Sequence, residues 1–172
     1  MDSARIRIFT DGSVQPKNPG DGGSGAVILY DDKAIAVGRY LGYNVTNNQA
    51  ELYGIQDAFK EIISLGLQDE KVILYSDSKY SLGVIGGQYT VRKNKELVDG
   101  IITLRKKIPE LQLFWCKSHR KIKEAENEKH RELILWNDVA DRIAKYSAKT
   151  KNYSWHEEMP EKEFLEEFKR IF

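Results

Sequence analysis

The chain has 172 residues, 41% hydrophobic and 31% charged, with a formal net charge of +1. That length can bury a real core in one domain, and the near-neutral balance does not by itself mark a polyanion binder. No apolar run approaches the ~18 residues that cross a bilayer, and the single cysteine, Cys116, excludes an internal disulfide framework or a Cys-based zinc site.

"MDSARIRIF" enters a strand pattern at once, so no signal peptide is expected. "RIRIF" (5–9) alternates as a strand. "GAVILY" (25–30) and "KAIAVGRYL" (33–41) flank Asp31-Asp32, which reads as a hairpin turn. From Asn48 to Leu65 the period becomes helical, with Leu52, Ile55, Phe59 and Ile62 on one face and Gly66 as the stop. "KVILYS" is apolar on both faces, as in a covered parallel strand. A short helix over 78–85 and a second over 95–108 follow, the latter stopped by Pro109. "LQLFWCK" is the fifth strand, with Cys116 expected to be a buried, inert thiol. A charged stretch then leads into a helix over 134–148. Residues 149–159 read as a linker, and "EKEFLEEFKRIF" as an amphipathic helix with Phe164, Leu165, Phe168 and Phe172 on its apolar side. The order predicts an α/β fold: a mixed five-stranded sheet flanked by helices over 1–148, plus a tail over 149–172.

Four carboxylates fit this pattern poorly. Asp11 and Asp77 each follow an apolar strand, and strand carboxyl ends line the ligand crevice of open α/β sheets. Asp77 also reads as an N-cap for the helix behind it. Glu51 shares a helix face with Ile55 and Ala58, which turns it toward the core. The face of Asp141 is ambiguous from the pattern. Clustered buried carboxylates repel one another unless hard divalent cations sit among them, and all-oxygen donors suit Mg²⁺ or Mn²⁺. The alternative is a set of separate caps and surface acids.

"FTDGSVQPKNPGDGGSGAVI", "TNNQAELYGI", "LYSDSKY" and "WNDVADRIA" resemble, in order, the four blocks of the type 1 ribonuclease H family, over about residues 5–148. The resemblance implies a ribonuclease H-like fold and endonucleolytic hydrolysis of the RNA strand of RNA/DNA hybrids with two Mg²⁺ ions, Mn²⁺ being a substitute. By position it makes Asp11, Glu51, Asp77 and Asp141 the metal ligands, and leaves Asp138 solvated. Gly12, Ser13, Asn18, Asn47 and Asn48 match positions at the hybrid's minor groove, and Thr46 a phosphate-gripping position on the DNA strand. His119 matches a histidine that assists proton transfer and product departure.

Several positions depart from the family. Ser118 stands where Gly is usual, and the gap from His119 to Asp141 is much longer than the family's. "GGQYTVRKNK" replaces a Trp-rich basic protrusion; "RKNK" or the insertion around 120–129 is the expected substitute. Lys79 replaces a residue that is often Gln, and can hold a phosphate but cannot read a base edge with both donor and acceptor. Other basic clusters lie at 105–107 and 117–123. The expected partner is the hybrid, not a membrane, and the expected state is a free-standing intracellular monomer. The tail either docks on the domain or anchors a protein partner. The rival readings are a DNA-cutting relative, which an all-DNA duplex would expose, and a non-catalytic hybrid binder, which metal titration would expose. A third is a piece of a reverse-transcriptase assembly.

Overall fold

The computed structural model describes residues 4–117, 120–151 and 154–171. Strands β1 (Ile6–Gln15), β2 (Gly20–Tyr30) and β3 (Lys33–Val45) form an antiparallel meander. Its second turn is Asp31-Asp32, with φ of 48° and 59°. Asp tolerates the left-handed region that a tight hairpin turn requires. Helix α1 (Asn47–Ser64) starts in a capping box: Thr46 Oγ1 accepts from the Gln49 N–H and the Gln49 side chain accepts from the Thr46 N–H. Strand β4 (Val72–Ser76) runs parallel to β1, followed by helices α2 (Lys79–Ile85) and α3 (Lys95–Arg105). Strand β5 (Leu111–Trp115) runs parallel to β4. A 3-10 turn (Ile122–Glu124), helix α4 (Glu128–Thr150), strand β6 (Ser154–Pro160) and helix α5 (Glu161–Ile171) complete the chain. The six strands lie in the order β5-β4-β1-β2-β3-β6.

Strand alternation divides the core into two layers. Ile6, Ile8, Ile28 and Leu74 face α1 and α3, burying Leu52, Ile55, Phe59 and Ile101. Phe9, Val27, Leu29 and Tyr75 face the other way and bury Trp136, Val139 and Ile143 of α4 with Phe164 and Phe168 of α5. Helix α4 lies close on β2 because glycines let it: a Cβ on Gly23 would stand 2.3 Å from the Ala144 carbonyl oxygen, and one on Gly25 2.5 Å from that of Ala140. This seating fixes where the α4 carboxylates come to rest.

The structure departs from the sequence reading in several places. The sheet has six strands rather than five, and the expected linker over 149–159 contains β6, which pairs antiparallel with β3. Its alternation was hidden because only Trp155 and Met159 are apolar on the side where Glu157 also points. The helix expected over 134–148 begins at Glu128, capped by the Asn127 side chain, which accepts from the His130 N–H at 2.8 Å. Helix α3 ends at Arg105, short of the expected 108. The tail docks on the domain: Phe164 and Phe168 are buried in a stack that runs from Trp136. Phe172 lies outside the described residues.

Candidate active site

The parallel pairing of β1 with β4 ends at Thr10 and Ser76. Asp11 and Asp77 are the next residue on each strand, so the loss of pairing sets two carboxylates side by side. Asp11 is not at the end of its strand, which continues against β2 to Gln15. It stands at the end of the parallel section. Asp77 is not the cap of α2; Ser78 is, its Oγ accepting from the Ser81 N–H at 3.1 Å.

Glu51 completes the group from the first turns of α1. That turn is pressed onto β1, since a Cβ on Gly12 would fall 2.4 Å from the Glu51 nitrogen. Carboxylate oxygens of Asp11, Glu51 and Asp77 all lie within 4.8 Å of one another. Asp11 is 3% exposed and accepts from the Gly12 N–H at 2.9 Å. Glu51 Oε2 is buried with no hydrogen-bond partner. Among the described residues neither Asp11 nor Glu51 has a cationic partner. Burial raises both acids above their ordinary range: Asp11 to about 8, helped by Asp77 and Asp141 and opposed by a hydrogen bond with Glu51, and Glu51 well above its range, helped by Asp11 and Asp77. Burial, with the charges of Asp77 and Asp11, lifts the Cys116 thiol to about 12, which makes it inert as a nucleophile. Three carboxylates this close, one with an orphaned buried oxygen, can hold a metal ion.

Asp141 lines the same small pocket as Asp11 and Asp77 but lies outside that tight group, its Oδ2 paired with Lys145 Nζ at 3.0 Å. Asp138 also reaches the pocket rim, half exposed and paired with Arg142 at 3.1 Å. Sequence reading missed three lining residues: Asn137, Lys117 and Arg120. Asn137 was legible, because it lies one helical turn before Asp141 and shares its face. Lys117 and Arg120 belong to the basic cluster already noted, but no pattern showed that it would border the acids. His119, with Ser118, lies outside the described residues.

Along the same end of the sheet, Gly12 and Ser13 continue β1 past Asp11. The Asn18 side-chain oxygen accepts from the Asn47 N–H at 3.1 Å, tying the β1–β2 loop to the start of α1. Asn18, Asn47 and Asn48 are exposed, and Thr46 beside them is the α1 cap. Lys79 lies on the other side of the acids, its Nζ 4.5 Å from the centre of the Trp115 ring, whose Nε1 donates to the Asp77 carbonyl at 3.2 Å.

The family model for RNase H matches residues 3–149. The chain belongs to the ribonuclease H family. Ribonuclease H of Ehrlichia ruminantium is 38% identical over 159 residues, covering 82% of this chain and 92% of that protein. Ribonuclease HI of Synechocystis sp. is 32% identical over 138 residues, covering 70% and 81%. The fold is shared with LC11-RNase H1, solved in complex with an RNA/DNA hybrid, at a TM-score of 0.67, 24% identity, and 84% and 97% coverage. As a ribonuclease H, the chain is an enzyme that cleaves the RNA strand of RNA/DNA hybrids. The family match stops just before β6, so β6 and α5 extend the sheet beyond the matched region.

Proposed function

We propose that this ribonuclease H uses Asp11, Glu51, Asp77 and Asp141 to hold two Mg²⁺ ions, with Mn²⁺ as a substitute. The observation that carries the reading is the unpartnered Glu51 oxygen facing two further carboxylates where the parallel pairing ends. An all-oxygen donor set suits a hard divalent ion better than zinc. When bound, such ions supply an activated water and neutralise charge at the leaving oxygen of a phosphodiester, so no covalent enzyme intermediate is needed and the product carries a 5′-phosphate and a 3′-hydroxyl.

The remaining residues bind and orient. Asn18 spends its amide oxygen on Asn47, which leaves its amide NH₂ to donate at the minor groove, where the RNA strand offers 2′-hydroxyls. Asn47 and Asn48 present side-chain amides beside it, and the Gly12-Ser13 backbone borders the RNA strand. Thr46 accepts from Gln49, and its hydroxyl hydrogen remains free to donate to a phosphate of the DNA strand. Lys79 holds a phosphate as a point charge. His119, whose pKa class suits neutral pH, assists proton transfer. Residues 1–148 carry this machinery and 149–172 complete its sheet, in a monomer acting inside the cell. No helix among the described residues is long and apolar enough to cross a membrane.

The test offers hybrid, RNA duplex, DNA duplex and a DNA duplex with a few consecutive ribonucleotides, at equal concentration, with and without Mg²⁺. Cleavage of the RNA strand in the hybrid and the mixed duplex, only with Mg²⁺, is expected. Equal cutting of the all-DNA duplex would overturn the specificity, and cutting after thorough metal removal would overturn the metal assignment.

A further inference from the structure

A second cleft, of about 350 Å³, opens between the end of β5 and the start of α4. It is built from Phe114, Trp115 and Lys117 on one side and Arg120, Glu126 and Lys129 on the other. Lys117 and Arg120 also line the acidic pocket, so the two hollows adjoin. Phe114 is 51% exposed here, in an edge contact with Tyr75, whereas the Trp115 ring turns to the other face of the sheet, under Lys79. Among the described residues Lys117 and Lys129 make no ion pair, while Arg120 pairs with Glu124 at 3.0 Å. Lys117 and Lys129 are thus the cations left to meet a ligand, with the Glu126 carboxylate beside them.

A half-exposed aromatic ring with cations beside it fits one chemistry well: an unpaired base stacks on the ring while its phosphate meets the cations. A paired base cannot do this, because its two faces are covered by its neighbours in the helix. The cleft has the volume of a small-ligand site and starts where the carboxylates cut the RNA strand. We propose that it holds an unpaired nucleotide of the RNA strand, just beyond the paired hybrid. The enzyme would then favour hybrids whose RNA continues as a single strand past the last base pair. The proposal rests on the hybrid-cleaving reading above. It gives the insertion around 120–129 a use: that segment builds the cleft's far wall.

The test compares steady-state cleavage, in Mg²⁺, of three hybrids with the same paired segment: blunt, or carrying a short unpaired RNA extension at the 5′ or the 3′ end. One extension should lower KM about tenfold at unchanged kcat, within the range that one stacked base supplies. Phe114→Ala with Lys129→Glu should abolish that gain while the blunt hybrid is cut as by the wild type. Lys129→Glu alone, at an exposed position, should weaken the gain without risk to the fold. No gain from either extension, or a full gain in the double variant, would overturn the proposal. Should the wild type fail to cut the blunt hybrid, the hybrid-cleaving reading falls. The cleft is then judged by fluorescence anisotropy with a short single-stranded RNA in EDTA, where equal binding by wild type and double variant would sink it.

Discussion

Glu51 and Asp57 stand on the same helix, less than two turns apart, and both are turned in against the sheet. Asp57 brings its countercharge with it: Arg39 of β3 donates to it twice, at 3.0 and 2.9 Å, and Ser24 Oγ lies at 3.4 Å. Even so, burial outweighs Arg39 and raises the Asp57 carboxyl above its ordinary value. Among the described residues Glu51 has no countercharge; burial and the charges of Asp11 and Asp77 push it up, against a smaller opposing pull from the Gly12 backbone N–H. A carboxylate kept for the fold is neutralised by the chain itself. One left beside other carboxylates depends on something the chain does not encode, and that is the physical signature of a cation site.

The largest effect expected from this contrast is Glu51→Gln. The amide keeps the shape and loses the charge, so turnover of a hybrid should fall by about 10³-fold or more, the several kcal/mol that a bound metal contributes. The melting temperature without metal should rise. Turnover within about twofold of wild type would remove Glu51 from the site and end the contrast.

Gly12→Ala strikes the contact that places Glu51. The new Cβ would meet backbone atoms of Ala50 and Glu51 at 2.5 and 2.4 Å, which a flexible side chain cannot relieve. A loss of about 1–3 kcal/mol is expected from overpacking, with a fall in turnover as α1 shifts from Asp11. A stable variant with full activity would show that the α1 register is not set there.

Arg39→Ala should do the reverse of Glu51→Gln. It strands Asp57, whose side chain is only 14% exposed, and should lower stability by about 1–2 kcal/mol. Turnover by the folded fraction should be unchanged. Urea melts together with kcat on hybrid separate the two variants; a shared loss of kcat would mean that both carboxylates serve the reaction.

The smallest effect, counted per pH unit, is a slope in stability. The Asp11 carboxyl ionises near 3.8 when unfolded and at about 8 when folded without metal. Below the lower value both states hold the proton. As pH rises across that window the unfolded chain gives it up first, so stability falls, by at most about 1.4 kcal/mol per pH unit per proton. Asp11→Asn should flatten the slope in EDTA, and Mg²⁺ should offset it in the wild type. A slope equal in wild type and variant, read from urea midpoints at several pH values, would place the uptake elsewhere.

Sequence alone determined what local rules control. Alternation and apolar runs located five strands, helical spacing located α1, and Asp31-Asp32 announced its turn. The blocks around Asp11, Glu51, Asp77 and Asp141 carried the family because their residue types and order are specific without any coordinates. Tertiary structure decided what depends on neighbours distant in sequence. It made Ser78 the cap rather than Asp77, because only the end of the β1–β4 pairing shows that Asp77 turns toward Asp11. It found β6, whose side-chain pattern is too polar to read until β3 offers it an edge. It also brought Lys117 and Arg120 to the acids and left Phe114 half-exposed beside them, because whether a basic cluster borders a site depends on where a strand and a helix distant from its other walls come to rest.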